Sequence, residues 1–222
     1  GLPWLQRRDD ISFPETHIHI IADGHRAGMS EGEILCSKPC ARGPAIVNAS
    51  RIISRHLLRN VALEIDLFPR LSVDQLASQL ERSRRQAGGS WTAALAAHLP
   101  DPQVARDLFA QVIQPSCRRE PTPQNVAETL KRWVIDPIKM RPLKEAMVTI
   151  GGVTLGEIDP LTMASQSSEG LCFAGEVMDV DGPTGGYNLH AAFATARLAV
   201  ETLARTRGLK RAAPKPTPHQ NR

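Results

Sequence analysis

At 222 residues and 24.2 kDa the chain is long enough for one large domain or two small ones, each able to bury a core. The net charge of +4 is local, because residues 205 to 222 hold six lysines or arginines and no acid, leaving the remainder slightly acidic; without interleaved aromatics or a groove-forming motif, nucleic-acid binding is not indicated. No window approaches the roughly eighteen apolar residues of a membrane span, "GLPWLQRRDD" shows no apolar signal region, and Cys36, Cys40, Cys117 and Cys172 form no C-x-x-C pair, so we expect a soluble, cytoplasmic protein with reduced thiols.

In chain order, "THIHIIADGHRAGMSEGEIL" places β-branched residues on both sides of Asp23-Gly24, a hairpin signal, and "VALEIDL" at 61 to 67 reads as a further strand. Between them, Pro44 opens a helical pattern with Ile46, Ala49, Ile53 and Leu57 on one side. Residues 1 to 70 thus read as a small β-rich unit with one helix. His17 and His19 share a strand face; with no third ligand at a recognisable spacing, a half-exposed strand pair is favoured over a metal site. Cys36-Ser-Lys-Pro-Cys40 fits either a redox pair beside a lysine or two structural cysteines.

From Ser72 the pattern becomes helical. Ser72 with Gln75 forms a capping box ahead of Val73, Leu76, Ala77 and Leu80. "SWTAALAAHL" is a short apolar helix, Asp101-Pro102 opens "QVARDLFAQVIQ", Thr122-Pro123 opens "QNVAETLKRWVI", and "QPSCRREPTP" is the loop between the last two.

After Pro142, "EAMVTIGGVTLGEIDP" reads as a strand closing on Gly151-Gly152, and Leu171 to Ala174 as a second strand. The latter runs into Gly175-Glu176, a turn with Gly182, Gly185 and Gly186, and an alanine-rich helix with Leu189, Phe193, Ala196, Val200 and Leu203 on one face. One helix and two strands are too few to close a sheet, and a parallel-type strand needs neighbours on both sides.

This is where the sequence points to a ligand. Glu176 beyond a strand end can accept hydrogen bonds from sugar-like hydroxyls, and the free amides of Gly185, Gly186, Tyr187 and Asn188 at a helix N-terminus favour negative charge. The plainer reading, a glycine cluster turning between core elements, accounts for Gly-Gly but not for the acid beside it. His190, in the first turn of the helix, either touches a ligand or assists a proton transfer, or else simply packs.

Two stretches, "GLCFAGEVMDVDGPTGGYNLHAAFATARLA" and "EAMVTIGGVTLGEIDPLTM", resemble the carboxyl end of the BaiN-like (aminoacetone oxidase-like) FAD-dependent oxidoreductase family, and a weaker likeness runs from His17 to Arg205. The resemblance implies an α+β protein: residues 1–70 the β-barrel-like part of an inserted domain, 71–141 its helical bundle, 142–206 a partial Rossmann-type FAD-domain segment, and 207–222 a disordered basic tail. It also implies that Gly175 and Glu176 hold the ribityl chain of FAD and that Gly185, Gly186, Tyr187 and Asn188 offer amides to the pyrimidine edge of the isoalloxazine. Gly151, Gly152 and His190 then fall on the substrate side. No metal is implied.

Two departures stand out. The family's amino-terminal half, with the G-x-G-x-x-G turn that takes the FAD pyrophosphate, is not among these residues, and no such motif occurs in them. In "GEILCSKPCARGPAIV" the residues Cys36, Ser37, Lys38 and Arg42 stand where the family usually has a Phe-Thr-His run and a Ser-Gly-Pro. The expected function is the carboxyl-terminal portion of an FAD-dependent oxidoreductase acting on a small organic substrate, with a separate amino-terminal FAD-binding chain as a possible partner. The alternative is a truncated or split-gene product without independent catalysis, serving as a binding module or one half of a two-chain flavoprotein.

Overall fold

The computed structural model describes residues 11–37, 40–57, 59–117, 119–135, 140 and 142–208. The chain divides into two compact units, residues 1–142 and 143–222. The expected basic tail lies outside the described residues except at Arg207 and Gly208.

The first unit is built on a five-stranded antiparallel half-barrel sheet of order β3-β2-β1-β4-β5. Strand β1 (Ile11–Ala22) turns at Asp23-Gly24 into β2 (His25–Ser37). Both turn residues have positive φ, 48° and 81°, as a type I′ hairpin turn demands. Pro14, which has no N–H to donate, falls in the register shift between Phe13 and Thr16, where the ladder is already broken. A short β3 (Cys40–Arg42) pairs back onto β2, and β4 (Val61–Asp66) pairs with β1 from the other side.

Alternation along β1 sends Ile18, Ile20 and Ala22 into the core and His17, His19 and Ile21 to the opposite face. Helix α1 (Pro44–Arg55) begins at its proline and packs Ala45, Ala49 and Ile53 inward, and the buried Ser30 hydroxyl donates to the Ala45 carbonyl at 2.8 Å.

The helical part follows the expected starts. Helix α2 (Val73–Gln86) carries the complete Ser72/Gln75 capping box, α3 is Trp91–Ala96, and α4 (Pro102–Leu108) is capped by the Asp101 carboxylate, which accepts from Gln103 N at 2.6 Å and Val104 N at 3.1 Å. Immediately before Pro115 the helix widens into a π turn at Phe109–Ile113 and then continues as α5 (Gln114–Ser116). Proline cannot make the bond four residues back, and the wider turn accommodates its ring. The expected loop over 114–123 is therefore helical at its start.

Helix α6 (Pro123–Lys131) has a second capping box, between Thr122 and Asn125, but it does not continue to Ile135 as the sequence pattern predicts. Arg132 leaves the helical region at φ −140°, and Trp133–Ile135 becomes β5, opposite β4 with Ile65 facing Trp133. Pairing to the sheet edge outweighs helical continuation for three residues of high β-propensity. Trp133 is buried, edge-on to Phe13 at 6.5 Å between ring centres. One hydrophobic cluster runs from Ile18, Ile20 and Ile65 of the sheet to Leu76, Leu80, Leu108, Ile113, Val126 and Leu130 of the helices.

In the second unit, the two expected strands do not form. Leu171 to Ala174 makes one isolated bridge, Ala164 to Cys172, and Leu171 is exposed; residues 143–152 hold a 3-10 turn at Leu143–Glu145 and no strand. An extended segment becomes a strand only where neighbours accept its backbone groups, and the second unit offers single bridges instead. It folds around Ile158, Met163, Met178 and Ala199 with Val153, Phe173, Val180 and Leu198, together with one long helix, α7 (Tyr187–Thr206). The fold class is α+β. Among the described residues no helix is long and apolar enough to cross a membrane.

Candidate functional site

The residues singled out for a ligand all lie in the second unit, around a single-turn 3-10 helix at Gly175–Val177 and the start of α7. Gly175 takes φ +72°, turning the chain back at the end of the extended segment, and a Cβ there would lie 3.6 Å from the Ala192 methyl. The turn thus packs on α7 about five residues, or roughly 7.5 Å, beyond the helix start. Its amide donates to Thr195 Oγ1 at 3.0 Å.

Glu176 is exposed, and one of its carboxylate oxygens accepts from the Thr149 amide at 3.0 Å. A carboxylate has lone pairs for several donors, so Glu176 keeps acceptor capacity for further hydroxyls while tying the 149–153 segment to the turn. Val153 and Met178 form a parallel bridge alongside, with Val153 N donating to Val177 O and Asp179 N to Val153 O, both at 2.9 Å. Gly152 lies against this bridge; Gly151 beside it has open space where a side chain would be.

At the start of α7, Gly186 is the N-cap in the left-handed region (φ +86°), and no side chain caps the helix. Nothing lies within 4 Å of where a Gly186 Cβ would be. The first-turn amides therefore face an approach clear of side chains at Gly186, which suits a flat, electron-rich edge. The Asn188 side chain is used locally: its Oδ1 accepts from Gly182 N at 2.7 Å and its Nδ2 donates to Gly182 O at 3.3 Å. These two bonds fix the Asn188 side chain against the Gly182 backbone. The Tyr187 ring turns back over Gly185, and His190 is exposed, its amide closing the first helical bond to Gly186 O at 2.9 Å.

The structure also brings in two residues that the sequence reading passed over. Thr149 supplies the amide to Glu176, and nothing in its identity signals that, since any residue but proline has one. Thr195 does leave a trace, as the one hydroxyl between Ala191 and Leu198 in an alanine-rich helix.

Elsewhere, His17 and His19 lie on the outer sheet face, His17 Nε2 standing 3.7 Å from a Glu31 oxygen, and no metal-ligating group of three or more is assembled among the described residues. Cys36 is buried opposite Ala41, Cys40 pairs with Ser37, and both are free thiols. Burial pushes the Cys36 thiol up to about 11, which is the reverse of what an exchange-active cysteine needs. Lys38, whose charge the redox reading invoked, lies outside the described residues.

A family model described as the HI0933-like protein Rossmann domain matches residues 38–202. The chain belongs to that family. It is 30% identical over 164 residues to the ribosomal RNA dihydrouridine synthase of Escherichia coli (strain K12), covering 72% of this chain and 40% of the relative. The enzyme of the same name from Haemophilus influenzae is 28% identical over 166 residues, with 73% and 40% covered. Over a shorter stretch of 54 residues, 24% of this chain and 13% of the relative, it is 50% identical to the 3-dehydro-bile acid delta(4,6)-reductase of Clostridium scindens. The chain spans about two fifths of the length of the two synthases.

Proposed function

We propose that this chain forms the inserted and carboxyl-terminal portion of an FAD-dependent oxidoreductase that reduces or oxidises a small organic substrate, with residues 1–70 and 71–141 as the insert and 142–206 as part of the FAD-binding domain. The observation that carries the reading is the juxtaposition on α7 of an exposed carboxylate, Glu176, and a helix N-terminus with no side-chain cap and open space at Gly186. Enzymes named for a dihydrouridine synthesis and for a bile-acid reduction support redox chemistry as the shared activity.

FAD, when bound, supplies the two-electron chemistry. The chain's own residues position it. The free lone pairs of Glu176 accept from ribityl hydroxyls, charge-assisted bonds stronger than neutral ones. The amides of Gly185, Gly186, Tyr187 and Asn188 donate toward the pyrimidine edge, and the positive end of α7 favours negative charge there. Gly151, Gly152 and the exposed His190 stand on the substrate side.

The apolar stripe of α7 fits a segment that belongs inside a larger domain. Leu189, Phe193 and Val200, at 68%, 77% and 65% exposure, follow one another at helical spacing, and among the described residues of the second unit nothing covers them. We assign their cover to an amino-terminal FAD-binding segment carrying the pyrophosphate loop, either in the same polypeptide or in a separate chain. Without it these residues do not retain FAD.

The test is an absorbance spectrum after gel filtration. The 222-residue chain is expected to emerge colourless and to carry yellow flavin only with such a segment present. Stoichiometric flavin on the chain alone would overturn the two-part site, and none in either preparation would favour a non-catalytic binding module.

A further inference from the structure

We propose that Thr195 is a positioning residue for this site: its hydroxyl locks the Gly175–Val177 turn onto α7 and so sets where Glu176 meets the cofactor. The inference rests on the reading that Glu176 binds flavin hydroxyls, and adds the group that holds Glu176 in place.

The geometry of the Thr195 hydroxyl is fully specified. Its proton goes back along the helix, to Ala191 O at 2.6 Å, with Ala192 O at 3.2 Å sharing it. A hydroxyl has one proton to give and two lone pairs to offer, so the oxygen that faces the turn can only accept. It accepts from Gly175 N at 3.0 Å. A carbonyl-bound hydroxyl is the right group for this task, because its donor is already occupied and cannot turn to repel the amide.

The bond fixes a backbone position that has little other restraint on that side. Gly175 adopts φ +72°, and its neighbours on α7 are the small Ala192 methyl and Thr195 itself. The next residue is Glu176, whose carboxylate is held on its other side by the Thr149 amide at 3.0 Å. The turn is thus pinned from both ends, by a side chain of α7 at Gly175 and by the 149–153 segment at Glu176. Removing the hydroxyl leaves a half-buried amide without its acceptor and frees the turn to shift off the helix. A shift of even an ångström at Glu176 spoils two or more charge-assisted bonds at once.

The experiment compares Thr195→Val, Thr195→Ala, Thr195→Ser and Glu176→Gln in the flavin-competent protein, reading FAD affinity by fluorescence quenching and amide hydrogen exchange of 149–153 and 175–179 in the chain itself. Thr195→Val is expected to weaken FAD by on the order of 10-fold and to speed exchange at Gly175 to Val177, with Thr195→Ser restoring both to near wild type. Thr195→Ala, smaller than threonine, serves if the valine variant does not fold. FAD affinity unchanged in Thr195→Val or Thr195→Ala while Glu176→Gln loses it would overturn the positioning role and leave the site standing. Equal losses in the serine and valine variants would also overturn it, by showing that the hydroxyl is not what matters. Wild-type affinity in both the threonine variants and Glu176→Gln would remove the site itself, and the inference with it.

Discussion

Gly152 and Val177 meet backbone to backbone: a methyl group on Gly152 would lie 2.5 Å from the Val177 carbonyl oxygen and 2.8 Å from the Met178 carbonyl carbon. The Val177 oxygen is the one that accepts from Val153 N at 2.9 Å, so the contact that excludes a side chain is also the one that closes the parallel bridge.

Gly152→Ala therefore meets both a collision and an unfavourable backbone at φ +149°. It is expected to destabilise the second unit by about 1–3 kcal/mol. Gly151→Ala, at φ +102° but with open space around it, is expected to cost only the backbone term of about 1 kcal/mol. Hydrogen exchange at Val153 and Asp179 separates the two; equal effects would mean that the close approach is not decisive.

Phe193, 77% exposed, contributes little to the stability of this chain as it stands. Phe193→Asp is expected to leave the unfolding free energy of the chain within about 0.5 kcal/mol of wild type. The same substitution is expected to weaken association with an amino-terminal FAD-binding segment by at least about tenfold, because it places a charge in an apolar contact. Sedimentation of mixed segments measures the second effect; undiminished association would place the covering surface elsewhere.

Cys36 gives a pH dependence with a definite sign. Burial raises its thiol from an ordinary 9.0 to about 11, so the folded protein holds this proton more tightly than the unfolded chain does. That contribution is intact below pH 9.0 and is lost as pH rises to about 11, a fall on the order of 2–3 kcal/mol. Denaturant unfolding of wild type and Cys36→Ala across that range is expected to converge as pH rises, with the difference at pH 8 shrinking by about that amount. Parallel curves would mean the thiol is not buried as described.

Local rules were enough to read the first unit's helix starts and its hairpin from sequence. Ser72, Asp101 and Thr122 cap the helices they precede, and Asp23-Gly24 turns the hairpin, because each signal acts within a few residues. What escaped depends on distant partners. Trp133–Ile135 continues a helical pattern and is a strand only because β4 offers it an edge. Leu171 to Ala174 has the composition of a core strand but, among the described residues of this unit, no sheet to join. At the candidate site, Glu176 and the glycines were legible as a chemical type in a suggestive order, whereas Thr195 and the Thr149 amide become visible only when the turn is seen lying on α7.

The placement of the flavin at Glu176 is tested most directly by FAD titration of the chain combined with an amino-terminal FAD-binding segment, followed by flavin fluorescence quenching. Glu176→Ala removes charge-assisted bonds and is expected to lose about 1.5–3 kcal/mol, a 10- to 150-fold weaker affinity. Gly186→Val, forced to φ +86°, is expected to do comparable harm by closing the approach to the first-turn amides of α7. Lys210→Ala, in the basic tail outside the described residues, is expected to stay within about 0.5 kcal/mol of wild type. Equal affinities for the Glu176→Ala and Lys210→Ala proteins would contradict the account, since they would show that the cofactor does not lie against the Gly175–Val177 turn.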